Sequence, residues 1–327
     1  MIEVLNGGMY TTVQDYPGRV GYWGVGVPPS GPMDSLSFRI ANKLVGNEDN
    51  AAGLEITVMG PTLKFSCDAV ISLCGAKLVA NLNGKEIHWW KAFPVQKGSV
   101  LTLGAVETGG GFRSYMAVAG GIDVPVYLGS RSTFPFGKIG GHEGRQLKKD
   151  DMLAIGNLTY KKDPLRLNRH FAFTALPSYS TQWEVGVTAG PHSSPDYFTP
   201  EDEEMIYSTG WKVHYNSNRL GYRLEGPNPK FTRASGGEGG SHPSNLLDYT
   251  YAVGTINFTG NMPIILSVDG PSLGGFVSFA TIATAELWKI GQAKPGDVIW
   301  FKKMTIEQAL DIQRWQNNMI DGILPNT

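Results

Sequence analysis

The stretch Val79-Ala80-Asn81-Leu82-Asn83-Gly84-Lys85-Glu86-Ile87 is typical of a β-hairpin. A two-residue type I′ turn needs positive φ at both central residues, and Asn83-Gly84 suits that geometry. Similar short segments, rich in valine, isoleucine, threonine and aromatic residues, recur along the chain at 54–58, 69–73, 100–103, 114–118 and 264–268. The 42 glycines and 20 prolines fall between these segments. Many short strands separated by turns predict sandwiches or barrels rather than a parallel α/β sheet.

Two helices are predicted from spacing and capping. In residues 34–45, Leu36, Ile40 and Leu44 recur every four residues, an aspartate can cap the start, and a glycine follows the end. Residues 305–320 open with a threonine and carry a glutamine three residues later, which fits a capping box. The predicted fold is therefore mainly β with few short helices.

The length of 327 residues is sufficient for two domains. The best boundary is near Lys161-Lys162-Asp163-Pro164, which predicts an N-terminal β-barrel domain at 1–162 and a C-terminal one at 163–327. A short echo suggests related halves, because 55–65 and 222–231 both carry Gly-Pro and then Lys-Phe. Chance similarity is the alternative for so short a match.

Composition excludes several classes of partner. The 28 basic and 29 acidic residues nearly cancel, so neither a nucleic acid nor a membrane surface is expected to bind. No run approaches the roughly 20 apolar residues of a membrane helix, and the N-terminus lacks the pattern of a signal peptide, so a cytoplasmic protein is expected. Cys67 and Cys74 are predicted to be buried free thiols, because their spacing does not suit a zinc site, and no metal is expected.

Two glycine- and proline-rich stretches could carry chemistry. Residues 25–34 bring Ser30 to the start of a helix, where amide groups favour anions or carbonyl oxygens; a rigid turn is the alternative. In residues 120–134, Arg131 lies between two hydroxyl side chains, which suits a carboxylate or phosphate. An arginine paired with an acid for structural reasons is equally compatible with that pattern.

The third and most informative stretch, 235–276, concentrates asparagine, tyrosine, serine and aspartate beside glycines. These side chains suit a small polar substrate such as an amide or urea. His242 precedes a proline, and a satisfied loop histidine is the simpler interpretation. Gly270-Pro271-Ser272-Leu273-Gly274 matches a nucleophile elbow, but no histidine follows His242, so Ser272 is expected in a tight turn.

Several blocks, in order, resemble the allophanate hydrolase subunit 2 family, which includes KipA-type proteins, the C subunit of bacterial 5-oxoprolinase and half of the urea carboxylase carboxyltransferase domain. The matching blocks are 11–19, 28–34, 41–47, 120–134, 144–147, 237–245 and 269–276. Residues 21–34 and Asn257-Phe258-Thr259-Gly260 look most similar to the urea carboxylase branch. The resemblance implies tandem cyclophilin-like β-barrels.

The same resemblance implies the site. Tyr249 and Asp248 are the implied catalytic residues, with Tyr249 contacting urea. Asn245 would bind the substrate, with Ser30, Arg131 and Asn257 as weaker candidates. A tyrosine hydroxyl can donate to the urea oxygen while acids or amides accept from its nitrogens. Positioning would then supply most of the catalysis.

The resemblance further implies a shared site. A subunit 1 or KipI-like partner would complete it, and separate biotin carboxylase and biotin carrier components would supply carboxybiotin. The chain lacks the Met-Lys-Met attachment motif, so no covalently bound biotin is expected, and the chain is expected to be inactive alone. Two alternatives stay open: the role of the 5-oxoprolinase C subunit in ATP-dependent hydrolysis of a cyclic amide, and a non-catalytic, KipA-like regulatory role.

Overall fold

The computed structural model describes residues 1–156 and 176–323. The chain divides into two compact units. The first comprises Met1–Val20, Pro29–Tyr179 and Asn317–Thr327, and the second Gly21–Pro28 and Ser180–Gln316. The boundary predicted at 162/163 lies outside the described residues, and it stays a prediction.

The strands of the first unit form two antiparallel sheets. They are β1 Ile2–Asn6, β2 Tyr10–Gln14, β3 Gly53–Thr57, β4 Thr62–Phe65, β5 Ala69–Gly75, β6 Leu78–Leu82, β7 Lys85–Glu86, β8 Ala92–Val95, β9 Val100–Val106, β10 Arg113–Val118, β11 Ile122–Asp123 and β12 Met152–Ile155. One sheet has the order β11-β12-β1-β4-β9-β6-β7, and the other β2-β3-β10-β5-β8. Alternate residues such as Leu63 and Phe65 are fully buried, as the two-residue period of a strand requires.

The second unit is built around a closed barrel. Its strands are β13 Gln182–Ala189, β14 Trp211–Val213, β15 Gly221–Glu225, β16 Asn245–Thr250, β17 Thr255–Thr259, β18 Met262–Leu266, β19 Leu273–Ile282 and β20 Val298–Lys303. The order β13-β20-β14-β15-β18-β17-β19 returns to β13 through a β13–β19 pairing, which closes seven strands into a ring. Strand β16 pairs with β19. The β13–β20 pair is parallel, whereas the other pairs of this unit are antiparallel.

Aromatic side chains fill the core of the second unit. The ring of Phe198 lies 5.0 Å from the rings of Phe231, Phe258 and Phe279. Burial of one such side chain contributes about 1.5–3 kcal/mol. This cluster supports one face of β17 and β19 and leaves their other face available to polar residues.

The mainly β, tandem-barrel prediction is confirmed, and both predicted helices form. The helices of the described residues are α1 Ser35–Leu44, α2 Pro200–Ser208, α3 Leu287–Gln292 and α4 Ile306–Asp321. In α1 the Asp34 carboxylate accepts from the Ser37 amide at 2.8 Å. Helices α2 and α3 were not predicted, although Thr199 and Asp202 form a capping box at the start of α2.

The predicted hairpin turn is also confirmed, with φ of 53° at Asn83 and 81° at Gly84. Cys74 is a buried free thiol as predicted, and burial raises its pKa. The prediction for Cys67 is wrong: it is only half-buried, because it lies in the turn between β4 and β5 rather than in a strand. No helix within the described residues is long and apolar enough to cross a membrane.

Candidate functional site

Strand β16 carries three of the six predicted site residues. Asn245 and Tyr249 are half-buried, and Asp248 is exposed. Asn245 pairs with Phe276 and Tyr249 with Gly274, so β16 has two more residues than β19 between these pairs. Such an irregularity bends a strand and changes the direction of its side chains. Because Tyr249 is only half-buried, it is not a residue of the hydrophobic core.

Glycines hold the start of β16 in place. A side chain on Gly237 or Gly239 would collide with the backbone carbonyls of Asn245 and Leu246. The Asn245 Nδ2 donates to the Gly240 carbonyl at 2.9 Å. The glycine-rich loop thus packs against the strand that carries the candidate residues, which explains why glycines and polar residues occur together in this stretch.

A histidine connects Tyr249 with the barrel wall. The His192 ring lies 4.4 Å from the Tyr249 ring and 4.7 Å from the Tyr197 ring, edge-on to both. The Ser278 amide donates to His192 Nδ1 at 3.1 Å, which leaves the Nε2 nitrogen to carry the proton of the neutral ring. Burial lowers the pKa of His192, and the nearby Glu238 opposes this shift.

The chain of contacts continues to Asn257. The Ser278 hydroxyl donates to Asn257 Oδ1 at 3.1 Å, and both residues are buried. Tyr249 and Asn257, both implied by the family resemblance, are thus joined through His192 and Ser278. The structure brings these two predicted residues into one network.

Tyr251 is a second tyrosine of this region. Its hydroxyl accepts from the Phe276 amide at 2.8 Å and donates to the Phe276 carbonyl at 3.2 Å. Burial is the largest effect and raises the pKa of Tyr251, and the charge of Asp248 raises it further. Hydrogen bonds with Phe276 and Asn257 lower this pKa and so oppose the shift. Tyr251 therefore stays protonated at neutral pH, and Asp248 and Asn257 both act on it.

A pocket of about 280 Å³ lies beside Tyr251 and Asn257. Its lining residues come from β15, β17, β18, β19 and the adjoining loops: Asn216, Asn218, Leu220, Gly221, Arg223, Tyr251, Asn257, Thr259, Ile264, Leu266, Pro271, Leu273, Gly274 and Phe276. In β15 and β17 these residues alternate with the buried Tyr222, Leu224, Ile256 and Phe258. The pocket therefore lies on the opposite face of these strands from the aromatic core.

The two predicted residues of the first unit have different environments. Ser30 is 2% exposed, has φ of 56°, and its hydroxyl has no hydrogen-bond partner among the described residues. Arg131 Nε donates to the Val124 carbonyl at 3.1 Å, and its guanidinium lies 3.7 Å from an Asp123 carboxylate oxygen. The contacts of Arg131 match the structural alternative, whereas Ser30 keeps a free hydroxyl.

Sequence reasoning missed His192, Tyr251 and Arg223 as site residues. Tyr251 follows Tyr249 by two positions, a spacing that could have suggested it. Arg223 lies between the apolar Tyr222 and Leu224, so the two-residue period of a strand could have assigned it to the exposed face. No local signal identifies His192, because the pairing of distant strands brings it to Tyr249.

Two other sequence interpretations can be compared with the structure. His242 is a loop residue whose Nδ1 lies 2.9 Å from the Ser244 hydroxyl, in agreement with the simpler interpretation. The carbonyl of Ser272 accepts from the Tyr251 amide at 2.8 Å, which holds the turn before β19 against the site. Within residues 1–156 and 176–323, no group of three or more histidine, cysteine or acidic side chains is arranged to hold a metal ion.

Comparisons with known proteins agree with this architecture. The family model for the carboxyltransferase domain, subdomains A and B, matches residues 25–303. The urea amidolyase of Saccharomyces cerevisiae is 48% identical over 324 residues, which cover 98% of this chain and 18% of the yeast protein. The C subunit of the Escherichia coli 5-oxoprolinase is 34% identical over 324 residues, which cover 99% of this chain and 97% of the bacterial protein.

A solved structure gives the same picture. The crystal structure of the K. lactis urea amidolyase is 47% identical and superimposes with a TM-score of 0.94, covering 99% of this chain and 20% of that one. The chain thus spans about a fifth of the length of the urea amidolyases that it matches. The similarity extends over both units of the chain.

Proposed function

The chain belongs to the carboxyltransferase-domain family of subdomains A and B, and on that premise we propose that it is the carboxyltransferase-type component of a biotin-dependent urea carboxylase. The observation that carries this proposal is similarity over nearly the whole chain, at 48% identity to a urea amidolyase against 34% to the C subunit of a 5-oxoprolinase. Urea or a related small amide or guanidine is the proposed substrate. A subunit 1 or KipI-like domain is the proposed partner.

The proposed site combines the residues of β16 with the neighbouring pocket. Tyr249 donates a hydrogen bond to the urea oxygen, because no described residue occupies its hydroxyl. Asp248 and Asn245 accept from the urea nitrogens, and Asn257 orients the amide. Ser30 and Arg131 lie in the first unit, and their contact with the substrate stays a prediction from the family resemblance.

Carboxybiotin is the proposed carboxyl donor, delivered by a separate carrier domain, and its chemistry when bound is to supply the carboxyl group. The donor set of the pocket suits a small ureido or carboxylate group, since it includes Asn257, Thr259 and Arg223. The residues of this chain would bind and orient the substrate and exclude water from it. Holding the reacting groups in this geometry can lower the barrier without a covalent nucleophile.

The Tyr249→Phe variant tests this function in the system reconstituted with subunit 1-like, biotin carboxylase and carrier components. Loss of one positioned donor is expected to reduce urea-dependent carboxylation about 100- to 1,000-fold. Tyr215→Phe is the matched control, because Tyr215 is 80% exposed and lies outside the pocket lining. Equal turnover by Tyr249→Phe and the wild type would remove Tyr249 from the site. No urea-dependent turnover in the complete wild-type system would remove the proposed reaction.

The role of a 5-oxoprolinase C subunit is the second candidate, favoured by a match that extends over 97% of the length of that relative. In that case the chain acts with partners that use ATP to open a cyclic amide, and biotin has no part. An assay of ATP-dependent 5-oxoproline hydrolysis with such partners distinguishes the two. A non-catalytic regulatory role predicts no turnover in either assay despite binding of the partner.

A further inference from the structure

The pocket beside Tyr251 and Asn257 has one formal charge. Arg223 is the single ionisable side chain with a full charge at neutral pH among its lining residues, and no acidic side chain lines it. The other polar lining groups are amides and hydroxyls, from Asn216, Asn218, Asn257 and Thr259. A neutral substrate such as urea does not need a cation, so this charge calls for a separate explanation.

Arg223 is positioned by the backbone and keeps most of its donors. Its amide donates to the Ser217 hydroxyl at 3.1 Å and its carbonyl accepts from the His214 amide at 2.9 Å, which anchors β15 at this point. Its guanidinium NH1 donates to the Asn216 carbonyl at 3.0 Å. No carboxylate in the described part of the chain lies within ion-pair distance of the guanidinium.

A neighbouring arginine shows the contrast. Arg219 is 7% exposed and forms a two-pronged pair with Asp269, with Nε–Oδ2 at 2.7 Å and NH2–Oδ1 at 3.1 Å. The charge of Arg219 is therefore compensated within the fold. The charge of Arg223, four residues later, is compensated by no acid of the described residues, although a guanidinium pairs readily with a carboxylate.

Two asparagine side chains of the pocket present donors rather than acceptors. Asn257 Oδ1 accepts from the Ser278 hydroxyl, so its Nδ2 is the end that remains for the Tyr251 hydroxyl and a ligand. Asn218 Oδ1 accepts from the Leu220 amide at 2.8 Å, which also leaves its Nδ2 for a ligand. One guanidinium and two amide nitrogens match a ligand rich in acceptors, such as a carboxylate next to an amide carbonyl.

We propose that Arg223 is the carboxylate-binding residue of this pocket and that the pocket takes a linear carboxylated amide, the product class of the proposed carboxylation. The inference rests on the proposed function for its choice of ligand. Arg223 pairs with the carboxylate, while Asn257 and Asn218 donate to the amide carbonyl. The same shared chemistry, an amide beside a carboxylate, also occurs in 5-oxoproline, in which the amide is cyclic.

Calorimetric titration of the 327-residue chain with three probes tests the assignment. Malonamate is a linear amide with a carboxylate, malonamide has the same skeleton without the charge, and 5-oxoproline is the cyclic counterpart. Wild-type protein is expected to bind malonamate about 10- to 100-fold more tightly than malonamide, the range expected of a charge-assisted hydrogen bond. The Arg223→Gln variant is expected to lose this difference, and Arg223→Lys to keep part of it.

Arg314→Gln is the matched control, because Arg314 is an exposed arginine of α4 paired with Asp311, and it is expected to keep the full preference. Circular dichroism establishes that each variant folds, and Arg223→Lys keeps the test open if Arg223→Gln does not. Equal affinity of the wild type for malonamate and malonamide, or an unchanged preference in Arg223→Gln, would overturn the assignment. Tighter binding of 5-oxoproline than of malonamate would overturn the linear amide as the ligand.

The outcome is separable from that of the urea carboxylation assay. Turnover of urea by the assembled system without charge-selective binding would remove the role of Arg223 and leave the proposed function intact. Charge-selective binding lost in Arg223→Gln, in a system that does not carboxylate urea, would support the carboxylate site and remove the reaction.

Discussion

Two polar clusters, one in each unit, differ in how many of their hydrogen-bonding groups are paired within the fold. In the first unit Glu55 Oε2 accepts from the Met33 amide at 2.7 Å and from the Tyr115 hydroxyl at 2.9 Å, and that hydroxyl accepts from the Asp34 amide at 2.8 Å. These residues are at most 4% exposed. In the second unit Arg223 and Asn257 line a pocket and have N–H donors that remain for a ligand. The first pattern is typical of a structural network, and the second of a binding site.

The tyrosines of the two clusters sharpen the comparison. Burial, followed by the charges of Glu55 and Asp34, raises the pKa of Tyr115 well above its usual range. Tyr115 is fully buried, so the raised pKa results from burial and from charges within the fold. Tyr249, in contrast, is half-buried and has a hydroxyl that no described residue occupies. Unpaired donors at an accessible surface, rather than the number of polar residues, therefore distinguish the second cluster from the first.

The largest effect on stability is expected from Glu55→Ala. It removes an acceptor from Met33 and Tyr115 and leaves the buried Arg113, 3.7 Å from Glu55, without this carboxylate. Breaking a buried pair in this way costs about 3–5 kcal/mol of the free energy of unfolding. Denaturation with guanidinium chloride measures it, with Glu86→Ala as the control because that side chain is 76% exposed. A loss below about 1 kcal/mol would show that the first cluster is not a structural network.

An intermediate effect is expected from Tyr251→Phe in the second unit. The variant leaves the half-buried Phe276 amide and carbonyl without the hydroxyl that satisfies them, at a cost of about 1–2 kcal/mol. Tyr249→Phe is the matched comparison and should change the free energy of unfolding by less than about 0.5 kcal/mol, because its hydroxyl has no partner among the described residues to lose. Equal losses in the two variants would contradict the assignment of Tyr251 to structure and Tyr249 to binding.

The smallest effect is expected from the titration of His192. Its pKa is lowered in the folded state, so below about pH 6.5 the unfolded chain takes up a proton that the folded chain refuses. Stability due to this residue is therefore present above that pH and is lost as the pH falls toward the folded pKa. His192→Asn keeps an acceptor near the Ser278 amide without titrating, so its free energy of unfolding should fall less between about pH 7.5 and about pH 5.5, as measured by denaturation. The same fall in both proteins would show that His192 is not buried as a neutral ring.

The sequence alone was sufficient for the elements whose signals are local. The Asn83-Gly84 turn follows from the positive φ that these residues tolerate, and α1 follows from its four-residue period and its Asp34 cap. The capping box at Thr305 and Gln308 likewise forms at the start of α4. Helix α2 was missed despite its own capping box, because an acidic, weakly amphipathic segment gives little periodicity to detect.

In the candidate site, too, some residues could be predicted from the sequence and others only from the tertiary structure. A family resemblance was enough to direct attention to 245–257, where the described contacts join Tyr249 with Asn257. It could not supply His192, which lies far before Tyr249 in the numbering and meets it only because β19 pairs with both β13 and β16. It could not distinguish Arg219 from Arg223 either, since an arginine paired with an acid and one without such a pair look the same in a sequence.

What the amino-acid sequence determined by itself is the β-rich class, the capped helices, the tight turns and the family to which the chain belongs, because these depend on residues close together along the chain or on blocks in a fixed order. Only the tertiary structure decided which face of β15 and β17 lines a pocket and which arginine keeps its charge uncompensated. The physical reason is that burial, ion pairing and hydrogen-bond satisfaction depend on residues that are distant in the sequence and adjacent once the barrel closes.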